Sequence, residues 1–388
     1  MAHHESDRDT SFAAVPGASV GIIGGGQLAR MTHRAAIDLG ITVHVLCPDE
    51  HEPAPAAGAR WHQGTADDQQ AFRTLAAAVD AITLDHELVS RDGLERLVND
   101  GYTVRPSPTA LAFAQDKLFA RSALGDMGFP VPSFTEVTEA AQVGAFAAVH
   151  GWPVVLKARS GGYDGRGVEL VSSVGDARTV LSRGGNWLAE TFVPIATEVA
   201  VVIARRPGGQ TVTYPVVETV QVDGICVELV MPARIDDAVA ASAIELGTSI
   251  AHAIEVTGIL AVEMFITPDG ELVINEVATR PHNSGHATIE GSVTSQFSNH
   301  LRAVLDWPLG STAMISSVAV TVNLLGGDQH VEPTERLDEA LEDPDVHVHL
   351  YGKGWRPGRK LGHVTVTGDD ADTVLAAARR AAAVLIQP

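Results

Sequence analysis

Residues 260–286, LAVEMFITPDGELVINEVATRPHNSGH, decide how the rest of the chain is read. Two apolar, β-rich runs, LAVEMFI and ELVINEV, flank a Thr-Pro-Asp-Gly turn signal, and Asp-Gly favours a two-residue hairpin turn with positive φ. With Asp269 and Gly270 as the loop, Glu263 is expected to face Glu276 directly. Like charges in that position repel, so the pair reads either as two solvated glutamates on an edge hairpin or as two carboxylates with a cation between them. Hard divalent ions take carboxylate oxygens, and Mg2+ is typically held by one or two of them plus substrate phosphates. A bulged, three-residue turn would spoil the parity. Behind Glu276 come Arg280, His282, Asn283, Ser284 and His286, interrupted by Pro281 and Gly285. That is a polar loop at the carboxyl end of a buried strand, where ligand groups often converge.

At 388 residues the chain exceeds one ordinary core, and roughly two or three domains are expected. Lys plus Arg total 27 against 48 Asp plus Glu, a net charge of −21, which excludes a general nucleic-acid or anionic-membrane surface. Any anionic substrate must therefore meet local basic residues. Cys47 and Cys226 lie far apart without metal-type spacing and read as free thiols of a reducing compartment. The opening MAHHESDRDTSFAAVPGAS has no apolar core of the signal-peptide kind, and no run of about 18 apolar residues occurs. A soluble, cytoplasmic protein is expected, with residues 1–17 a disordered tail in which His3 and His4 are a weak metal signal.

Taken in order, the chain first alternates strands and helices. Residues 19–23 run into Gly24-Gly25-Gly26 and a helix over Gln27–Leu39; TVHVLCP, a helix near Asp67–Val79, AITLDH, a helix over Arg91–Asn99 and the short strand YTVRP follow. This predicts a parallel, Rossmann-like α/β unit over 18–115. Gly24-x-Gly26 before a helix can bind a dinucleotide, with Asp49 near the place of a ribose-binding acid, so a nicotinamide or flavin oxidoreductase is the rival reading. The same glycines can instead hold another phosphate or simply turn the chain. A helix over Thr109–Met127 carries Lys117 into a second domain past the breaker GFPVP.

There the strand WPVVLKAR leads through SGGYDGRGV to the strand VELVSS. Four glycines in seven residues between two strands make a hairpin flap whose backbone N–H groups can approach phosphate oxygens, with Lys157 beside it. NWLAETFVP, VAVVIAR, TVTYPVVETV and VELVMPA read as antiparallel strands, followed by a long helix over Ile235–Val256. A lysine-bearing strand, a glycine flap, a strand ending in Glu190 and a two-carboxylate hairpin are parts of a nucleotide site closed between two α+β lobes, 116–193 and 194–310. The rival accounts for none of the last three.

In this pattern the chain resembles the ATP-grasp superfamily and, within it, the N5-carboxyaminoimidazole ribonucleotide synthases. The residues that carry the resemblance are GIIGGGQLARM, QDKLFAR, VLKARSGGYDGRGV, the Glu190–Glu198 segment, INEVATRPHNSGH and RPGRKLGH. They spread over nearly the whole chain; GGYDGRG together with RPHNSGH is specific to this branch. The implied fold is an ATP-grasp fold of mixed α/β and α+β class, with an N-terminal Rossmann-like (pre-ATP-grasp) domain and a small C-terminal β-rich domain over 311–388. The implied reaction joins ATP, bicarbonate and 5-aminoimidazole ribonucleotide through carboxyphosphate, in purine biosynthesis. A sister ATP-grasp enzyme, such as a formate-dependent ribonucleotide transformylase, would share the ATP residues but differ at GGYDGRG and RPHNSGH. A non-catalytic nucleotide-binding module would bind ATP without turnover.

By the same resemblance, Mg2+ sits on Glu263 and Glu276, with Asn275 flanking it. Lys117, Lys157 and the flap Gly162, Tyr163, Asp164, Gly165, Arg166, Gly167 and Val168 neutralise and cover the ATP phosphates. Glu190 and the backbone at Val193 hold the adenine edge and Glu198 the ribose; Gln221 stands where relatives often have His. Tyr163, Asp164 and Arg166 reach the ribonucleotide, with Asp164 the candidate for its amine proton, while Gln27, Leu28 and Glu87 help bind it. Arg280, His282 and Asn283 position bicarbonate and carboxyphosphate, and Lys353, Arg359 and Lys360 meet the ribonucleotide phosphate. The family is commonly dimeric, and a homodimer is expected. Two departures are visible. Thr83-Leu84-Asp85-His86-Glu87 keeps Glu87 but shortens the usual first Glu to Asp85, and Thr279 replaces the Pro common before Arg280. His347 and His349 alternate along a strand without further ligands nearby, which favours a structural role over metal.

Overall fold

The computed structural model describes residues 17–162 and 165–387. Tyr163, Asp164 and, but for Gly17, the expected N-terminal tail with His3 and His4 lie outside the described residues.

The N-terminal unit comprises β1 (Ser19–Ile23), α1 (Gln27–Asp38), β2 (Thr42–Cys47), β3 (Arg60–Gln63), α2 (Gln69–Ala76), β4 (Ala81–Leu84) and α3 (Arg91–Asn99). Its four strands are parallel in the order β3-β2-β1-β4. Alternate residues of β1, β2 and β4 feed two cores. Val20, Ile22, Val43 and Val45 pack with Ala29 and Ala36 of α1, while Ile23, Leu46 and Leu84 pack with Phe72 and Leu75 of α2 and Leu94 and Leu97 of α3. Burial on both faces is the property of a doubly wound sheet. The expected strand YTVRP contributes only one bridge, Val104 to Ile82; Pro106 lacks the N–H that a longer ladder needs.

The helix expected over 109–127 is two helices, α4 (Pro108–Gln115) and α5 (Lys117–Asp126). Asp116 breaks it by standing extended, at φ −126° and ψ 104°, and accepting a hydrogen bond from the Phe119 N–H as the N-cap of α5. Lys117 thereby becomes the first residue of α5.

The small lobe is β5 (Phe134–Val137), α6 (Ala140–His150), β6 (Val154–Ala158), β7 (Val168–Val171), α7 (Val174–Leu181) and β8 (Trp187–Thr191). Its antiparallel sheet, ordered β5-β8-β6-β7, packs Val154, Leu156 and Ala189 against Val143 and Phe146 of α6 and Val180 of α7.

The remainder is β9 (Thr197–Arg205), β10 (Thr211–Thr213), β11 (Val217–Val222), β12 (Ile225–Met231), α8 (Asp237–Ala253), β13 (Gly258–Ile266), β14 (Leu272–Ala278), α9 (Thr288–Gly291), α10 (Gln296–Val304), β15 (Val318–Leu325), α11 (Leu337–Ala340), β16 (Val346–Leu350), β17 (Lys360–Gly368) and α12 (Ala371–Ile386). The run TVTYPVVETV is divided between β10 and β11 around Pro215. One sheet, β14-β13-β9-β11-β12-β15-β17-β16 with β10 beside β9, spans this whole region. The backbone ladder between β12 and β15 therefore crosses the boundary expected at 310/311. Residues beyond it extend the large lobe's sheet and cover it with α12, whose Leu375, Ala378 and Leu385 join Val320, Val364 and Val366 in one core.

The β13–β14 hairpin corrects the turn and keeps its consequence. Thr267 N–H donates to the Glu271 carbonyl at 2.9 Å, so the loop is Pro268-Asp269-Gly270, with Gly270 at φ +81°. Pro suits the first corner of such a turn and Gly the left-handed position. The three-residue loop displaces the register by one, as Met264 opposite Ile274 shows; Asn275 is then an extra, bulged residue, and Glu263 pairs with Glu276 after all.

Candidate active site

A cavity of about 1590 Å³ lies among the N-terminal unit, the small lobe and the large sheet. Among the described candidate residues, every one except Gly167 lines it: Gln27, Leu28, Glu87, Lys117, Lys157, Gly162, Gly165, Arg166, Val168, Glu190, Val193, Glu198, Gln221, Glu263, Asn275, Glu276, Arg280, His282, Asn283, Lys353, Arg359 and Lys360. Tyr163 and Asp164, which include the candidate for the amine proton, lie outside the described residues.

The paired glutamates are unlike in charge. Burial and the neighbouring Glu276 and Glu198 raise the Glu263 carboxyl well above the usual carboxylate range. Enclosure in the cavity acts in the same sense on Glu276, whose side chain is otherwise half exposed, but Lys117, whose Nζ stands 2.7 Å from Glu276 Oε2, overcomes it with help from Lys157 and holds Glu276 ionised. Lys117 is aimed by the break before it. Its N–H donates to the Arg159 carbonyl at 2.9 Å, and the Arg159 guanidinium grips both oxygens of Asp116 at 2.8–3.1 Å. The bulge serves the second lysine. Asn275 Oδ1 accepts from Lys157 Nζ at 3.0 Å, and Lys157 also meets Glu190 Oε2 at 2.9 Å.

Glu190 departs from its expected role. Its carboxylate is buried between Lys157 and Arg121, whose Nε donates at 2.8 Å, so it does not present itself to a base edge. Burial disfavours its charge, but the two cations hold it below the usual range, while desolvation lowers Lys157. Arg121, which also donates to the Asn275 carbonyl, was not singled out in sequence; its signal was an arginine on the Lys117 helix, with partners 69 and 154 residues away. Glu198, on β9 opposite Phe265, is partly desolvated and its carboxyl raised. Above this end the flap meets the β11–β12 turn: a Cβ on Gly165 would stand 2.9 Å from the Gly224 Cα, and both glycines have positive φ. Gln221 lies at the irregular pairing beside that turn.

The loop after β14 brings its polar groups to the same wall. Arg280 Nε lies 2.8 Å from Glu87 Oε1, which joins two groups that the sequence reading gave to different substrates. His282 Nδ1 accepts from the Ser284 N–H at 3.3 Å, which places the ring proton on Nε2, 3.7 Å from Glu263 Oε1. Burial and Arg280 push this imidazole down to about 3, so it is neutral. Asn283 is partly exposed, but its Oδ1 and Nδ2 are buried and lack a partner among the described residues, the state of a side chain whose partner is a ligand. Gln296, a further residue the sequence reading missed, binds the back of this loop.

At the N-terminal unit, Asp85 accepts from the Gly26 N–H at 2.8 Å and the Ala29 N–H at 2.7 Å. A carboxylate of the chain itself thus fills the anion position at the start of α1, where a dinucleotide phosphate would bind, which removes the support for the oxidoreductase reading. It also gives the shortened acid a role. A Cβ on Gly26 would lie 2.5 Å from Asp85 Oδ2. Gln27 accepts from Lys353 Nζ, which connects this unit to the basic segment at 353–360. His349 is bonded to Arg34 at 2.9 Å and Glu290 at 2.7 Å, and His347 is exposed. Among the described residues no group of three or more His, Cys, Asp or Glu is placed to hold a metal, and no helix is long and apolar enough to cross a membrane.

Comparison with known proteins agrees with this fold. Residues 18–115 match the ribonucleotide synthetase preATP-grasp domain, 122–297 the ATP-grasp domain, and 319–377 the phosphoribosylaminoimidazole carboxylase C-terminal domain. The chain is 46% identical over 371 residues to N5-carboxyaminoimidazole ribonucleotide synthase of Mycobacterium tuberculosis, covering 93% of this chain and 85% of that one. It is 42% identical to the enzyme of the same name from Corynebacterium ammoniagenes, over 96% and 94%. Among solved structures, N5-carboxyaminoimidazole synthase from Aspergillus clavatus in complex with ADP and 5-aminoimidazole ribonucleotide superposes with a TM-score of 0.88 at 33% identity, covering 95% and 98%.

Proposed function

Because the chain belongs to the N5-carboxyaminoimidazole ribonucleotide synthase family of ATP-grasp ligases, we infer that it carboxylates 5-aminoimidazole ribonucleotide to the N5-carbamate in purine biosynthesis, at the expense of ATP. The observation that carries this reading is one cavity walled both by the Lys117–Glu276 and Lys157–Asn275 set and by the 280–283 loop with Lys353, Arg359 and Lys360. Nucleotide and acceptor thereby share one chamber, as transfer of an unstable intermediate requires.

A bicarbonate oxygen attacks the γ-phosphorus and ADP leaves; the amine of the ribonucleotide then attacks the carbon of carboxyphosphate, or of CO2 released from it, and phosphate leaves. Lys117 and Lys157 offset phosphate charge during the first step. The flap, with Gly162, Gly165, Arg166, Gly167 and Val168, covers the phosphates. The base edge is read by the backbone of Glu190–Val193, since the Glu190 carboxylate is engaged elsewhere, and Glu198 takes the ribose hydroxyls with Gln221 nearby. Neutral His282, Arg280 and the unpaired Asn283 amide orient bicarbonate and carboxyphosphate. Asp164 takes the amine proton. Gln27, Leu28, Glu87, Tyr163 and Arg166 hold the ribonucleotide body, and Lys353, Arg359 and Lys360 its phosphate.

Glu263 and Glu276 fit a divalent cation: two facing carboxyls, one kept from ionising by the other, form a site that an ion completes. Mg2+ held there with Asn275 alongside would supply charge neutralisation to the ATP phosphates. The protein acts in the cytoplasm as a homodimer. The test is ADP release with Mg-ATP and bicarbonate, with and without the ribonucleotide. Ribonucleotide-stimulated turnover with carbamate formation is the expected result; ATP use stimulated by another acid or amine would keep the ATP-grasp chemistry and overturn the substrate.

A further inference from the structure

We propose that Gln296 is a positioning residue for carboxyl transfer, a clamp that holds the peptide of His282 and so aims His282 and Asn283 into the cavity. The inference rests on the reading of the 280–283 loop given above. Gln296 is fully buried as the first residue of α10 and does not line the cavity, so it acts only through what it holds. Its carboxamide pairs with both backbone polar groups of one residue. Oε1 accepts the His282 N–H at 3.0 Å and Nε2 donates to the His282 carbonyl at 2.7 Å. That pairing fixes which end of the amide is which, and Nε2 is left 3.4 Å from His286 Nδ1. The loop's other tie is parallel. Thr288 Oγ1 donates to the Gly285 carbonyl at 2.6 Å and accepts the Gln296 N–H at 2.9 Å.

The loop is therefore bound on its back by α9 and α10, while its front carries the unpartnered Asn283 amide and the His282 ring facing Glu263. A buried carboxamide is costly where an apolar side chain would fill the same space, and it is retained here with its capacity spent on this one loop. Gly285 belongs to the same device, because a Cβ there would lie 2.3 Å from Gln296 Oε1. Only glycine lets the amide reach His282.

The test compares Gln296→Met, which keeps the volume and removes the hydrogen bonds, with Gly285→Ala, which displaces the carboxamide, and His282→Ala. Readouts are nucleotide affinity by calorimetry, kcat and KM for ribonucleotide-stimulated ADP release, and carbamate formed per ADP. A displacement near 1 Å of reacting groups costs about 100-fold, so kcat should fall about 10- to 100-fold in Gln296→Met and Gly285→Ala. The carbamate-to-ADP ratio should fall with it, while nucleotide affinity stays within about twofold of wild type. Gly285→Ala decides the matter if Gln296→Met does not fold. In the pair Gly285→Ala/Gln296→Met the losses should be less than additive, since both break one clamp. Wild-type turnover and coupling in folded Gln296→Met and Gly285→Ala, with His282→Ala impaired, would overturn the clamp alone. Coupled turnover persisting in His282→Ala would instead remove the loop reading beneath it. A parallel loss of nucleotide affinity would also overturn the clamp, marking Gln296 as general scaffold.

Discussion

Glu263 and Glu276 stand opposite each other because two irregularities cancel: a turn one residue longer than Asp-Gly alone requires, and the extra residue Asn275 on the returning strand. The bulge turns Asn275 toward Lys157 and leaves Glu276 to Lys117. Replacing either glutamate by glutamine removes one carboxylate from the pair to which the proposed cation site is assigned. Glu276→Gln should lower ribonucleotide-stimulated ADP release about 100-fold or more, the scale of losing one preorganised electrostatic group. Glu263→Gln should act mainly by raising the Mg2+ concentration needed. Mg2+ titrations of both variants check this, and an unchanged requirement in both would place the cation elsewhere.

Arg121 and Glu190 form a buried ion pair that joins α5 to β8 and, through the Asn275 carbonyl, to the bulge. Each is about 2% exposed, and removing Arg121 leaves the buried Glu190 carboxylate with Lys157 still 2.9 Å away. Arg121→Met should destabilise the fold by about 1.5–3 kcal/mol, the scale of losing hydrogen bonds to a charged group. Arg121→Met/Glu190→Gln should recover part of that stability yet still bind nucleotide poorly, because Lys157 and Asn275 lose their alignment. Denaturant midpoints and calorimetric nucleotide affinity separate the two effects.

What the sequence made legible was local. The hairpin, the glycine flap, Lys157 and the basic 353–360 segment each lie within a run whose periodicity or punctuation is visible in a few residues. Their meeting in one cavity follows from the parallel unit and two lobes that the same periodicities implied. The rest was carried by long-range pairing. Arg121 finds Glu190 69 residues on, and Gln296 looks like any residue after a helix cap until the loop is folded against it. Asp116 lies inside a run read as one continuous helix, and its capping role shows only in the fold, where it stands extended beside the Phe119 N–H. The turn in the central hairpin was misread although the facing pair was not, since period-two arguments register parity and two single-residue offsets restore it.

Asp85 occupies the start of α1 in place of an external anion. Asp85→Ala removes two hydrogen bonds to helix N-terminal amides and should cost about 1 kcal/mol, as loss of a cap does. The wild-type protein should show no calorimetric signal with nicotinamide dinucleotides, and neither the melting temperature nor the signal should respond to them. Tight dinucleotide binding by the wild type would revive the oxidoreductase reading.

Lys353 extends from the C-terminal segment to Gln27 on the N-terminal helix and lines the cavity with Arg359 and Lys360. Its assignment to the ribonucleotide phosphate predicts a substrate-specific defect. Lys353→Met should raise KM for the ribonucleotide about tenfold or more, about 1.4 kcal/mol or more of binding, with KM for ATP little changed. Raising the salt concentration should narrow the difference from wild type.

His286, His300 and His363 are buried and held neutral, their affinity for protons lowered chiefly by desolvation. In the unfolded chain they titrate at the ordinary value, about 6.5. Below that pH the unfolded state binds more protons than the native state, so these histidines contribute stability that is full above about pH 6.5 and is lost as pH falls toward their folded values. The melting temperature should therefore drop progressively below pH 6.5, and unfolding at pH 6 should take up protons from the buffer. His300 receives the Ile259 N–H and bonds Thr83, away from the cavity wall. His300→Gln should lower stability at pH 7.5 yet flatten its decline toward pH 5.5. Melting curves across that range, with calorimetry in buffers of different ionisation enthalpy, measure both the slope and the proton count. A decline as steep in the variant as in wild type would assign the acid sensitivity to the carboxylates instead.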